Sequence, residues 1–179
     1  TIDARAQKAA FNGLQGKKGA VVAIEPATGR ILASVQSPSF DPNLLSSHDQ
    51  AAIRAYYDTL QKDPSRPLLN RPIVALNPPG STFKLVTAAA ALASGRFTPD
   101  SVLPGPAAYQ LPDSSRKIRN WNGQECGPGG LVTLRNALAI SCNTAFAWLG
   151  NELGDDALRT QAERMGFDTS FQIPLRAAR

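Results

Sequence analysis

Histidine is almost missing from this chain, and so is any long apolar run. His48 stands alone among 179 residues, and the longest hydrophobic candidate, Leu85 to Ala93, carries Thr87 within it. A membrane-spanning helix needs about 18 or more consecutive apolar residues, so this sequence contains none. The opening residues, TIDARAQKAAFNGL, lack the apolar centre of a secretory leader; any export signal or anchor is expected outside these residues. One imidazole and two cysteines, Cys126 and Cys142, form neither a Cys-x-x-Cys pair nor any metal-ligand spacing, and no cofactor or metal is expected. The net charge of +5 is dispersed, and its densest basic cluster, SSRKIR at Ser114 to Arg119, is short and has no interleaved aromatics. That excludes nucleic-acid binding and leaves a solvated loop as the favoured reading, with an acidic partner as the alternative.

What is present reads as a folded α+β chain. The composition, 42% hydrophobic and 18% charged, is that of a soluble globular domain. Residues 1 to 14 read as a helix carrying Ile2, Ala6, Ala9 and Ala10, with Gly13 near its end. GAVVAIEPATGRILASVQ follows, two β-branched-rich runs, Val21 to Glu25 and Ile31 to Val35, around a Pro/Gly turn; this is a hairpin. Its apolar residues occupy both alternating sets, which predicts an antiparallel sheet with helices on both faces. After the irregular SPSFDPN, a capping box from Ser47 to Gln50 opens a helix with Ile53, Tyr56, Tyr57 and Leu60 on one face, stopping before Pro64.

Phe97 to Gly130 is rich in Pro, Gly, Ser and Asn, a long loop region with short strands near Tyr109 and Ile118. Beyond it, Thr133 caps a short helix, Asn143 can cap another running to Gly154, and Asp155 or Asp156 starts a third ending at Gly166. Trp121, in IRNWNGQECGPGG, either borders a cleft or anchors the loop.

The stretch NPPGSTFKLVTAAAALASG, Asn77 to Gly95, carries the chemistry. A helix begins near Ser81, yet the position three residues on, where a capping box favours Glu or Gln, is Lys84. Serine and lysine three apart on a helix are neighbours. A serine hydroxyl attacks only once a base takes its proton, and a desolvated lysine near a helix N-terminus can be that base; the backbone N–H of Ser81 would be an oxyanion donor. Ser-x-x-Lys alone is weak, because SSRK at Ser114 to Lys117 matches too, and a plain cap with a surface lysine is the bland alternative. In ALAISCNTAFAWLG, Ser141 and Asn143 fall between two helical segments, where a hydroxyl can relay protons to Lys84 and an amide can bond the lysine or a substrate; alternatively Asn143 only caps its helix.

Taken in order and spacing from TIDARAQ through GAVVAIEPATGRILASVQSPSFDPN and NPPGSTFK to LRNALAISCNTAFAWLG, the chain resembles the transpeptidase domain of the penicillin-binding proteins, specifically the monofunctional class B group. The resemblance implies that Ser81 is the acylated nucleophile, Lys84 its base, and Ser141 and Asn143 the second motif. It implies a peptidoglycan D,D-transpeptidase, with stem peptides as substrates, β-lactams as acylating mimics, cell-wall synthesis or division proteins as partners, and an extracytoplasmic location anchored by an N-terminal helix outside this chain. D,D-carboxypeptidase activity and a catalytically silent scaffolding module are the alternatives. A class A β-lactamase is disfavoured, since neither Glu152 nor Glu163 is followed by Asn at the required offset.

The family's third motif, Lys-Thr-Gly on a strand, does not occur; ATGR at Ala27 to Arg30 lies in the hairpin turn. The expectation is therefore that residues 1–179 are the N-terminal portion of one transpeptidase domain with an incomplete DD-peptidase/β-lactamase-like fold. The anchor, a preceding non-catalytic domain and the C-terminal strands are then supplied elsewhere, the last of these by a separate chain in one reading. Missing strands leave a sheet edge open, so the fragment alone is expected to be inactive. In the implied exported setting a disulfide between Cys126 and Cys142 is a candidate, worth roughly 3 kcal/mol on the chain-entropy view; two separate small core residues are the alternative.

Overall fold

The computed structural model describes residues 2–169. They fall into two compact units, one running to Asn77 and one from Pro78 on.

In the first unit, helix α1 (Ala4–Leu14) starts later than expected because the Asp3 carboxylate caps it, accepting from the N–H groups of Arg5 and Ala6 at 2.9 Å each. Strands β1 (Gly19–Ile24) and β2 (Ile31–Ser37) pair antiparallel, with Val22 opposite Ser34 and Ala23 opposite Ala33. One edge of β2 is closed by a side chain rather than a strand. The Gln7 amide donates to the Ser34 carbonyl at 3.0 Å and accepts from its N–H at 2.9 Å, while the Asp3 N–H donates to the Leu32 carbonyl at 2.9 Å. Helix α1 packs on this hairpin, and Ala33 and Val35 are buried. On the alternate positions Val22, Ile24 and Ile31 remain exposed.

Helix α2 (Gln50–Lys62) is capped by Asp49 and not by Ser47. The Asp49 carboxylate accepts from Ala51 and Ala52 at 2.9 and 3.1 Å, and Ser47 Oγ accepts instead from the Asp49 N–H at 3.1 Å. A carboxylate adds a negative charge at the positive end of the helix dipole, an advantage the serine lacks. Leu60 is buried and Ile53 and Tyr56 half-buried, whereas Tyr57 is exposed.

The second unit is built around helix α4 (Lys84–Ala93), whose Val86, Ala88, Ala90 and Ala91 are buried. Strands β3 (Val102–Pro104), β4 (Ala108–Gln110) and β5 (Lys117–Arg119) break up the region expected as loop, and Tyr109 does pair with Ile118. Strand β6 (Leu131–Thr133) returns to pair with β3, setting Leu103 against Val132 in the core. Three helices follow: α5 (Leu134–Ala139), capped by the Thr133 hydroxyl, α6 (Asn143–Leu153) and α7 (Asp155–Arg164). Gly154, at φ 80°, supplies the left-handed corner between α6 and α7 that a residue with a Cβ adopts only under strain. The whole is a mixed α+β structure with antiparallel pairing throughout, in three two-stranded ladders among the described residues.

A buried cation pins the connection that follows α2. Helix α3 (Arg71–Val74) begins with Arg71, 7% exposed, whose guanidinium donates to the carbonyls of Ser65, Arg66 and Pro38. Its own N–H donates to Gln36 Oε1 at 2.9 Å, and Gln36 Nε2 reaches the Pro67 carbonyl at 2.8 Å. Arg66 itself is held at φ 55°. Replacing Arg71 by Met strips three carbonyls of a charged donor and is expected to weaken this unit locally by about 2–4 kcal/mol. Hydrogen exchange of the peptides spanning 36–40 and 63–71 in the protein checks this; unchanged protection in Arg71→Met would count against it.

Candidate active site

Pro78 and Pro79 lead into a single 3-10 turn, Gly80–Phe83, and α4 takes over at Lys84 without any side-chain cap. Ser81 is thus not the N-cap that the sequence suggested. The 3-10 turn tightens the chain just ahead of the helix, Gly80 takes φ 55°, and the Thr82 hydroxyl is tied back to the Pro79 carbonyl at 2.5 Å. The Ser81 side chain is left exposed, while Lys84 is 9% exposed.

Four oxygens surround Lys84 Nζ. Ser81 Oγ lies at 3.1 Å, Ser141 Oγ at 2.8 Å, the Ser141 carbonyl at 2.8 Å and Asn143 Oδ1 at 2.6 Å; the two hydroxyls are 3.0 Å apart. A carbonyl and an amide oxygen can only accept. Asn143 Oδ1 is fixed in place because the other end of that amide, Nδ2, donates to the Arg119 carbonyl at 3.0 Å. A neutral lysine has two N–H donors and one lone pair. The two obligate acceptors use the two donors, and the lone pair is left facing the hydroxyls of Ser81 and Ser141. This geometry can draw a proton from a serine, directly or through the second hydroxyl.

The electrostatics favour that neutral form. Burial holds the Lys84 ammonium below the ordinary lysine pKa of 10.5. The start of α4 adds positive potential in the same sense. None of the ion pairs formed among the described residues involves Lys84; the π face of Phe146, 5.9 Å from Nζ, is its nearest aromatic contact.

Ser141 stands in the left-handed region at φ 58°, where a residue with a side chain rests at a cost of about 1 kcal/mol or more. Its neighbours hold it there. Cys142 is bonded to Cys126 in a disulfide, its N–H donates to the Ala137 carbonyl at 2.8 Å, and its sulfur rather than the Asn143 side chain occupies the cap position of α6, accepting from Ala145 at 3.4 Å. Gly105 makes room for the bridge: a Cβ there would come within 2.9 Å of Cys126 Cβ and 3.3 Å of Cys142 Sγ. The structure thus brings together Ser81, Lys84, Ser141 and Asn143, all within the second unit. The SSRK match at Ser114 to Lys117 lies apart, on the β4–β5 hairpin. Trp121 is 85% exposed and lines a cleft of about 400 Å³ together with Glu125, Ile140 and Ser141, so it borders the site and anchors nothing. Asn120, beside it, is buried and bonded to the start of α6; it lies in irregular chain, and no spacing in the sequence singled it out.

Among the described residues no group of three or more His, Cys, Asp and Glu could hold a metal, and no helix is long and apolar enough to cross a membrane. Comparison with known proteins gives concordant matches. The profile of the penicillin binding protein transpeptidase domain matches residues 19–178. The chain is 47% identical over 184 residues to the peptidoglycan D,D-transpeptidase PbpA of Mycolicibacterium smegmatis, covering 99% of this chain and 37% of that protein. It is 36% identical to the peptidoglycan D,D-transpeptidase MrdA of Acinetobacter baumannii, covering 98% and 25% respectively. Its structure superimposes on penicillin-binding protein A from M. tuberculosis in a penicillin G acyl-enzyme complex with a TM-score of 0.94, at 45% identity, covering 99% of this chain and 42% of that one. The chain therefore spans well under half the length of the relatives it matches.

The lowered pKa of Lys84 has a signed consequence. Between its folded value and 10.5 the unfolded chain holds a proton that the folded one has released, so the stability tied to this group rises with pH across that window. Titration of the Lys84 Cε chemical shift in selectively labelled protein is expected to give a midpoint below 10.5. A midpoint at or above it would contradict the burial argument.

Proposed function

The chain belongs to the penicillin-binding protein transpeptidase family, and from that premise we propose that its parent protein is a peptidoglycan D,D-transpeptidase acting through a serine ester on Ser81. The observation that supports this most directly is the placement of Lys84 Nζ, 3.1 Å from Ser81 Oγ and held there by the Ser141 carbonyl at 2.8 Å and Asn143 Oδ1 at 2.6 Å.

Ser81 Oγ attacks the carbonyl carbon of the D-Ala-D-Ala bond as its proton passes to Lys84 Nζ. The C–N bond breaks, the proton moves on to the departing D-Ala amine through Lys84 or Ser141 Oγ, and the stem peptide stays on Ser81 as an ester. An amine of a neighbouring stem then attacks that ester, gives up its proton to the same base, and returns Ser81 to its hydroxyl form. β-Lactams present a strained amide to the same nucleophile and stop at the ester. The Asn143 amide also faces this space and is a hydrogen-bonding group for the substrate. The substrates place the reaction on the extracytoplasmic face of the cell membrane. There an N-terminal anchor outside these residues would hold the protein among cell-wall synthesis and division proteins.

Residues 1–179 are, in this reading, the N-terminal portion of the domain; the remaining part supplies the strand with a Lys-Thr-Gly-type motif and a second oxyanion donor. The hairpin geometry supports this. Val22 stands opposite Ser34, whose backbone groups turn away from β1 towards Gln7, so the matching groups of Val22 turn towards the outer side of β1, where no strand pairs among the described residues.

Two measurements test the proposal. Parent protein exposed to penicillin G is expected to gain one acyl adduct on the peptide containing Ser81, seen by mass spectrometry, and the adduct is expected to vanish in Ser81→Ala; no adduct on that peptide would sink the assignment. The isolated chain 1–179 is expected to acylate at least about a hundredfold more slowly than the parent, since loss of one oxyanion donor alone costs 10²–10³. Acylation of the fragment at the parent's rate would refute the division of the domain.

A further inference from the structure

We propose that Asn120 is a positioning residue for the second motif, acting through Asn143; the inference rests on the reading of Ser81 and Lys84 as the acylation site. Asn120 is 7% exposed and lies just past β5, far in sequence from both helices that carry the site. Its Oδ1 accepts from the N–H of Asn143 at 3.0 Å and of Thr144 at 3.2 Å. Its Nδ2 donates to the carbonyls of Gln124 at 2.7 Å and Pro106 at 3.1 Å, with Thr144 Oγ1 at 3.2 Å. Only this orientation of the amide works, since the flipped one would set N–H against N–H and oxygen against oxygen.

The first N–H groups of a helix have no partner within it. At α6 the cap residue, Cys142, serves only Ala145, and Asn120 takes the two ahead of it from outside the helix. The adjoining Arg119 carbonyl takes Nδ2 of Asn143. Residues 119 and 120 therefore grip Asn143 by both backbone and side chain, and this grip sets Oδ1 at 2.6 Å from Lys84 Nζ. Thr144 closes the arrangement: it is fully buried, and its hydroxyl donates to the Pro106 carbonyl at 2.7 Å. If Asn120 is lost, Asn143 is no longer fixed in register and Lys84 loses one of the two acceptors that leave its lone pair directed at the serines. Misplacement of a catalytic group by a fraction of an ångström to 1 Å costs up to 10²-fold in rate.

The test is a double-mutant cycle on the parent protein, read as the second-order rate of acylation by penicillin G. Asn120→Ala is expected to lower the rate about tenfold or more in the wild-type background and less than about twofold in an Asn143→Ala background, because the second residue acts through the first. Acylation of Asn120→Ala at the wild-type rate, or an equal fall in both backgrounds, overturns the proposal; the latter is what a general loss of stability produces. Should Asn120→Ala not fold, Asn120→Asp takes its place, keeping the acceptor for the two N–H groups while losing both donors. A fall confined to the background with Asn143 intact supports the role, and an equal fall in both backgrounds, or none in either, ends it. A wild-type protein that is not acylated at all instead overturns the functional reading on which this rests.

Discussion

The contest over the protons of Lys84 governs the second unit. Removing an ammonium from water costs several kcal/mol after relaxation, and hydrogen bonds to a charged group return about 1.5–3 kcal/mol each. A lysine at 9% exposure, with oxygens at 2.6–3.1 Å and no paired carboxylate among the described residues, gives up its proton more readily than an exposed one. A carboxylate in place of Asn143 Oδ1 would tip it to the permanent cation, and an apolar side chain would leave one N–H bare. An amide supplies an acceptor without a formal charge, so the lysine gains orientation without being locked as the cation. A base must both hold its geometry and be able to give up its proton.

That balance depends on the placement of three consecutive residues. Ser141 contributes a carbonyl and a hydroxyl to the same nitrogen, which its backbone permits at φ 58° because the chain reverses between α5 and α6. A strained residue stays put only where its neighbours over-determine it. Here the disulfide fixes Cys142 on one side, and the bonds from 119 and 120 fix Asn143 on the next. Closing a loop of this size by a disulfide is worth about 3 kcal/mol on the chain-entropy view, which exceeds the cost of one left-handed residue. Gly105, with no Cβ, lets the bridge sit against the backbone.

The sequence carried the chemistry more clearly than the framework. Ser81, Lys84, Ser141 and Asn143 were legible because two helix-start patterns placed unusual residues where caps belong. What misled was the capping itself: a serine before an apolar run looks like a cap, but Ser81 lies within a 3-10 turn, Cys142 precedes Asn143, and Asp49 displaces Ser47. Cap rules rank residue types at a position and do not fix which of several neighbours takes it. The hairpin was legible from its β-branched runs, but the exposure of Val22, Ile24 and Ile31 was not, since alternation reports what a strand is suited to bury and not what lies nearby. Arg71 and Asn120 left no trace, because each acts through backbone groups scattered along irregular chain, which no periodicity encodes.

Proton transfer and charge stabilisation are divided differently over the chain. In the proposed reaction, every group that handles the Ser81 proton lies between 81 and 143 in one unit, held by that unit's own core of α4, α5 and α6. Stabilising the oxyanion needs two N–H donors converging on one oxygen, and the Ser81 N–H can be only one of them. Each such donor is worth about 2.7–4 kcal/mol in the transition state, while a positioned base contributes 10²–10⁴-fold, or about 3–5 kcal/mol. The two contributions are of similar size and cannot substitute for one another. A base without its oxyanion site deprotonates a serine that then has nothing to stabilise the product of its attack. On the proposed reading, Ser81, Lys84, Ser141 and Asn143 prepare a nucleophile, and a second N–H donor would complete the oxyanion site.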